Sequence, residues 1–240
     1  MKLVVHPQYN YLSDWIREIP SFFSTRGKTI FKERNELKSF DINSEKIVVK
    51  SFQIPHIINR FAYSFLRLSK AERSYTYGLE ILKRGFQTPH PIAYIELFKM
   101  GLLFGSYYVS GYTDYVSMKI FNNANYTKEL TEEVTEILKA FARFTARLHE
   151  KEIYHKDYSN GNILYKKEGE TISFYLVDVN RMKFKKVTEK MAYKAFHRLD
   201  LSNEMLEIVT REYALQRGMA VEKSIAEVLR LNLKTMRKYR

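Results

Sequence analysis

His155-Lys-Asp157-Tyr-Ser-Asn-Gly-Asn162, followed by Val177-Asp178-Val-Asn180, sets three oxygen-bearing side chains in a telling order and spacing. Asp157 and Asn162 stand five residues apart, so one tight loop can hold both at a single site while aiming them at different atoms. A carboxylate can receive a hydroxyl proton, and an amide oxygen can hold a magnesium ion. Asp178 follows Ile172-Ser-Phe-Tyr-Leu-Val177, which reads as a buried strand carrying a carboxylate at its end. Magnesium favours one or two carboxylates together with substrate phosphate oxygens. Asn162 and Asp178 are therefore candidate metal ligands for phosphoryl transfer, and Asp157 the candidate base. Loops of the form Asp-x-x-x-x-Asn often serve only to satisfy turns. Here the surroundings argue for chemistry: a helical run ends in Arg147-Leu-His149 just upstream, and Asn162 to Asp178 reads as strand, turn at Glu168-Gly-Glu170, and strand.

Toward the N-terminus, residues 27–40 and 45–54 read as strands joined by a turn at Asp41-Ile-Asn-Ser44. The second contains Ile47-Val-Val-Lys50-Ser-Phe52, a β-branched run with a lysine in it. Such a lysine either snorkels from an edge or meets an anionic ligand. Residues 69–85 read as a helix with Ser69 as cap and Gly85 as stop. Its candidate glutamates are Glu72 and Glu80; Glu72 shares a face with Tyr75 and Leu79, whereas Glu80 faces Lys83 and Arg84 and reads as solvated. Strands at 92–97 and 102–109 follow, with a turn near Lys99-Met-Gly101. Ser110-Gly-Tyr-Thr113 is the natural hinge, where backbone groups could meet an adenine edge. Residues 127–150 carry the 3.6-residue stripe of a helix, closed by His149 as a packed structural residue. Beyond Asn180 the pattern is helical at roughly 188–200, 202–217 and 221–237. Two expected features of a phosphate-transferring enzyme of this layout are missing: a glycine-rich loop before the first strand, and a long segment ending in Ala-Pro-Glu after Asp178. Thr25-Arg-Gly-Lys28 or Arg34-Asn-Glu-Leu-Lys38 would then cover the phosphates.

Length and composition bound the rest. The 240 residues suffice for a substantial core in one or two small domains, and 15% aromatic content argues for a folded chain. With no cysteine there is no disulfide or thiolate metal site, which fits a reducing cytosol. No apolar run reaches a membrane span, and the start breaks too soon for a signal peptide, so a cytoplasmic protein is expected. The net charge of +13 favours an anionic partner. Local basic clusters lie at Lys183-Phe-Lys-Lys186 and Lys234-Thr-Met-Arg-Lys-Tyr-Arg240. No nucleic-acid reading motif accompanies them, so nucleic acid is not the expected partner.

Protein kinases carry His-Arg-Asp-x-x-x-x-Asn followed by Asp-Phe-Gly, and a strand lysine that meets nucleotide phosphates. More closely, Ile47-Val-Val-Lys50, Ser69-Lys-Ala71, Thr88-Pro-His-Pro-Ile-Ala-Tyr94, the 155–164 loop and Val177-Asp-Val-Asn-Arg-Met182 resemble the lipopolysaccharide kinases of the Kdo/heptose type. The likeness runs from about residue 27 to 215. It implies an α+β, two-lobed, protein-kinase-like fold: a β-rich N-lobe over 1–110 and a mainly helical C-lobe over 111–240. It implies Asp157 as general base, Asn162 and Asp178 as magnesium ligands, and Lys50 on the phosphates of ATP with a helix glutamate, Glu72, as its partner. Asn180 stands where the usual glycine follows the metal aspartate, and Ser74 stands near the position where relatives often have the helix glutamate.

The leading expectation is an ATP- and Mg²⁺-dependent kinase acting on a sugar hydroxyl of lipopolysaccharide core or a related glycolipid. Its basic surface would suit an anionic acceptor and a peripheral contact with an anionic inner membrane. A RIO-like or small-molecule kinase is the enzymatic alternative, favoured by Ser159 two residues after Asp157. A non-catalytic pseudokinase that binds partners is the third reading, against which the intact Lys50, Asp157, Asn162 and Asp178 stand.

Overall fold

Residues 1–53, 67–126 and 128–236 are described by the computed structural model of the chain. They divide between two units, Met1–Asp114 and Tyr115–Arg240.

The first unit is built on a six-stranded antiparallel sheet. Its strands are β1 (Lys2–Val5), β2 (Lys28–Lys32), β3 (Glu36–Ile42), β4 (Glu45–Phe52), β5 (Pro91–Lys99) and β6 (Leu102–Gly111), in the order β1-β5-β6-β4-β3-β2. The stretch expected as one strand over 27–40 is two, because Glu33-Arg34-Asn35, polar and charged, turns the chain between β2 and β3. The next turn is tighter: Asn43 and Ser44 both take positive φ, as a two-residue hairpin of right-handed twist requires.

Because side chains alternate, the sheet has two different faces. Register aligns Val49 with Val109 and Val109 with Ala93. This face packs against the stripe Leu12, Ile16, Ile19 and Phe22 in and just before helix α1 (Ser13–Phe22). The opposite face aligns Lys50, Tyr108 and Tyr94. There Phe52, Tyr94 and Tyr108 pack on Ala71 and Tyr75 of helix α2 (Lys70–Lys83). The α2 limits follow the sequence closely. The Ser69 hydroxyl accepts the Glu72 N–H, a cap worth about 1 kcal/mol, and Gly85 adopts φ +82 just beyond the end.

Ser110 and Gly111, expected in a hinge, belong to β6, and the Gly111 and Tyr112 amides donate to the carbonyls of His90 and Lys46. Those two donors are spent on the protein, so they are not the ones to meet an adenine edge.

In the second unit helix α3 (Glu132–Glu150) buries Ile137, Leu138, Phe141, Phe144 and Leu148 along one side. It starts five residues later than its apolar stripe suggests, because the Thr131 hydroxyl accepts the Val134 amide and sets the first turn. The expected hairpin is present as β9 (Ile163–Glu168) and β10 (Thr171–Leu176), with β7 (Val116–Ser117) beside β9. The second hairpin strand is half-buried, since only Phe174 and Leu176 point fully inward. A short pair not expected from the sequence joins β8 (Ile153–His155) to β11 (Met182–Phe184). Helices α4 (Glu189–Phe196), α5 (Asn203–Gln216) and α6 (Val221–Met236) complete the unit, α4 and α5 capped by Thr188 and Ser202. No helix among the described residues is long and apolar enough to cross a membrane. Of the basic cluster at Lys234–Arg240, the side chains lie outside the described residues.

Candidate active site

The loop after β8 is held from three sides. Tyr158 points into the core, its ring stacked on Phe141 at 5.8 Å and its hydroxyl 2.7 Å from Thr145 Oγ1. Burial raises the Tyr158 pKa, so the hydroxyl keeps its proton. Asn160 is buried and donates to Asn122 Oδ1 at 2.8 Å. Ser117 Oγ donates to the Asn160 carbonyl. Lys119 lies over Gly161, its Cε within 2.6 Å of where a Cβ would stand.

His155 joins the loop to the strand that leads to Asp178. Its side chain is 1% exposed. Nδ1 accepts the Asp157 amide at 3.1 Å, which leaves the proton on Nε2 to donate to the Val177 carbonyl at 3.2 Å. Burial lowers its pKa, so the imidazole is neutral and its role is to position, not to titrate. A backbone bond from Val177 N–H to the Asn162 carbonyl fastens the same two segments again.

Between these fastenings the three predicted polar residues of the unit come together. Asn162 Nδ2 donates to the Asp157 carbonyl at 2.8 Å, which leaves its amide oxygen as the donor toward a cation. Asp178 adopts a left-handed conformation, φ 54 and ψ 42, uncommon for a side-chain-bearing residue and of the kind stored at functional sites. Asn180 Nδ2 donates to Asp178 Oδ1 at 2.6 Å, so the asparagine that replaces the usual glycine orients the carboxylate. One residue on, Arg181 Nη1 donates to Asp157 Oδ2 at 2.9 Å, and Arg198 stands 3.9 Å from Asp157 Oδ1. The Asp157 side chain is 40% exposed, so these contacts are open to solvent and of the order of 0–1 kcal/mol.

The donor set fits magnesium. It is all oxygen, one carboxylate and one amide, and no group of three His, Cys, Asp or Glu side chains suited to another metal occurs among the described residues. Neither arginine was legible from the loop motif. Arg181 was at hand, three residues after Asp178, but Arg198 arrives from beyond α4.

In the first unit Lys50 lies on β4, between β3 and β6, so it is no edge-strand lysine. Its ammonium stands 5.3 Å from the Phe52 ring centre, on the face covered by α2. Glu72 on α2, expected as the partner of Lys50, is instead taken by groups from β1 and β5: it accepts from Lys2 Nζ at 3.0 Å and from the Tyr94 hydroxyl at 2.9 Å. Lys2 also stands 3.5 Å from Glu96, a residue 4% exposed. Burial works against the Lys2 charge, yet contacts with Tyr94 and Glu72 and the charge of Glu96 outweigh it and raise its pKa. Glu80 pairs with Arg84 at 2.7 Å, as its spacing implies. Ser74 is buried and donates to the Lys70 carbonyl. Lys38 is likewise committed: its buried ammonium donates to the carbonyls of Phe23, Ser24 and Arg26 at the end of α1, so it does not serve phosphates.

Residues 23–216 match the model of the lipopolysaccharide kinase (Kdo/WaaP) family. Comparison with curated sequences gives no match. Among solved structures, the chain is similar to WaaP in complex with acyl carrier protein, at TM-score 0.65 and 14% identity, over 99% of this chain and 98% of that one. It also matches MAP kinase LmaMPK10 from Leishmania major at TM-score 0.46 and 13% identity, over 89% of this chain and 64% of that one. The likeness to WaaP is one of fold, and the α+β kinase-like architecture expected from the sequence is present.

Proposed function

The chain belongs to the lipopolysaccharide kinase (Kdo/WaaP) family, and from that premise we propose that it transfers the γ-phosphoryl group of ATP to a sugar hydroxyl of lipopolysaccharide core or a related glycolipid. The observation that carries this reading is the linked constellation of Asp157, Asn162 and Asp178, tied by the Asn162–Asp157, Asn180–Asp178 and Arg181–Asp157 hydrogen bonds.

In the proposed reaction the acceptor oxygen forms a bond to phosphorus, the bond to the departing ADP oxygen breaks, and the hydroxyl proton goes to Asp157. Asp157 is suited to this because its carboxylate exchanges partners readily in solvent. Asn162 and Asp178 would hold magnesium, which when bound neutralises charge on the phosphate oxygens. His155, neutral and doubly hydrogen-bonded, keeps the Asp157 loop and the Asp178 strand in register. Lys50 would hold nucleotide phosphates, and Glu72 would act through the position of α2. Most of the catalysis then comes from positioning and fixed charge.

The acceptor is found by incubating the protein with labelled ATP and Mg²⁺ and, separately, core oligosaccharide, ribosomes and a generic protein, with Asp178→Ala as the blank. Label should enter the oligosaccharide alone and disappear in Asp178→Ala. Label in ribosomes would favour the RIO-like reading, and ATP binding without any transfer would favour the non-catalytic one. Acyl carrier protein, the partner of the similar solved structure, joins the panel as a binding arm.

A further inference from the structure

Beside the Asp157 loop, within the second unit, lies a cavity of about 480 Å³. Its wall carries Lys156, Lys183, Lys185, Lys194, His197 and Arg198 and no carboxylate. The register of the short β8–β11 pair explains part of this grouping. Tyr154 lies opposite Lys183, and both face the cavity, while the alternate residues His155 and Met182 turn into the core. The amide of Lys185 bonds the Glu152 carbonyl and extends the pair, and α4 contributes Lys194 from the other side.

Some exposed cations elsewhere on this unit are paired. Lys167 meets Glu133, Arg230 meets Glu227, and Arg211 meets both Glu207 and Glu222. Among the described residues Lys156, Lys183, Lys185 and Lys194 make no ion pair. Cations sharing a concavity repel one another, and the low-dielectric wall strengthens that repulsion. His197 also lines the cavity, though its Nδ1 is buried away from it. Five cationic side chains and an imidazole around one concavity, alongside Tyr154, Met191 and Leu231, are what a bound anion would draw together.

The cavity is also connected to the candidate base. Arg198 reaches Asp157 Oδ1 at 3.9 Å and donates to the carbonyl of Lys156, the residue before it. We propose that this cavity binds a phosphate or carboxylate group, and that an acceptor bearing such a group is thereby held with its reacting hydroxyl beside Asp157. A concave site of this size takes a single substituent of a saccharide, not a flat bilayer. The binding stands on the cavity alone; only its consequence for the acceptor rests on the phosphotransferase reading.

The test has two arms. Inorganic phosphate is titrated calorimetrically into the full chain with the nucleotide site saturated by ADP. The triple variant Lys183→Ala/Lys185→Ala/Lys194→Ala is compared with Lys99→Ala/Lys128→Ala/Lys223→Ala, which removes the same charge elsewhere. Binding should weaken about tenfold or more in the first and little in the second. Equal weakening in both, or no measurable binding to the wild type, would overturn the proposal. The second arm measures transfer to core oligosaccharide before and after phosphatase treatment. If the anion belongs to the acceptor, the cavity variant raises KM for the intact oligosaccharide and leaves KM for the dephosphorylated one unchanged. If it is a separate effector, free phosphate raises kcat in the wild type and not in the variant. Should no oligosaccharide accept phosphate at all, the kinase reading fails while the calorimetric arm still decides the site.

Discussion

Asp157 and Glu72 are both carboxylates paired with a cation, and their settings differ. Asp157 meets Arg181 and Arg198 in a pocket open to water, where partners exchange at little cost. Glu72 meets Lys2 and Tyr94 beside the buried Glu96, in a network screened from water on the glutamate side. A group that must take a proton from an arriving hydroxyl needs the first kind of setting. A group that fixes the attitude of α2 against the sheet needs the second.

Lys50 gives the largest effect by which this contrast can be broken. It lies on an interior strand and, in the proposed role, is committed to substrate. Lys50→Met should keep the melting temperature within a few degrees and lower turnover by at least about 10²-fold, of the size expected for loss of a fixed transition-state charge. Activity that survives in a folded Lys50→Met chain would move Lys50 from the first class to the second.

Acidification gives the next. His149 is 2% exposed, with Nδ1 2.9 Å from the Tyr213 hydroxyl, and burial, helped by the charge of Arg217, lowers its pKa to about 3. Between pH 6.5 and 3 the unfolded chain therefore binds a proton that the folded chain refuses. Stability contributed this way is complete above pH 6.5 and is lost as pH falls, by roughly 1 kcal/mol for each pH unit. Thermal melts from pH 8 to 5 should be level above about pH 6.5 and fall below it, and His149→Gln should reduce the fall, leaving the share of His155, whose pKa burial also lowers. An unaltered slope in His149→Gln would assign the acid sensitivity to other groups.

Lys2→Met gives the smallest. Removing one partner from a buried pair costs several kcal/mol, but Lys2 is 46% exposed, so about 1–2 kcal/mol is expected, read as a lower denaturant midpoint. Turnover should fall only modestly, because Glu72 keeps Tyr94. A loss of activity as large as that of Lys50→Met would place Lys2 in the catalytic machinery.

The same contrast explains what could be read from the sequence. Asp157, Asn162, Asn180 and Asp178 lie within 23 residues of one another, and each key hydrogen bond among them is short in sequence. Caps are equally local, which is why Ser69 and Gly85 bounded α2 correctly. Glu72 required a fact that no local pattern holds: β1, from residues 2–5, adds to β5 in a register that sets Lys2 opposite Glu96. The first 26 residues carry no motif, and their strand and helix form because the sheet needs an edge neighbour and a cover for one apolar face. The three-residue strand β11 has too few residues to show a period. The basic cavity joins β8, β11 and α4, so the Lys183-Phe-Lys-Lys186 cluster could be joined to Lys156, Lys194 and Arg198 only once the chain was folded.

The central claim is that Asp157 serves the chemistry and not the fold or the nucleotide. Single-turnover transfer to a genuine acceptor at saturating ATP, compared between wild type and Asp157→Asn, tests it most directly. The substitution keeps the shape and removes the basic oxygen. ATP affinity and melting temperature should be nearly unchanged while the transfer rate falls by about 10²–10⁴-fold, toward the lower end if the transition state is loose. Wild-type transfer by a folded Asp157→Asn chain would contradict the account.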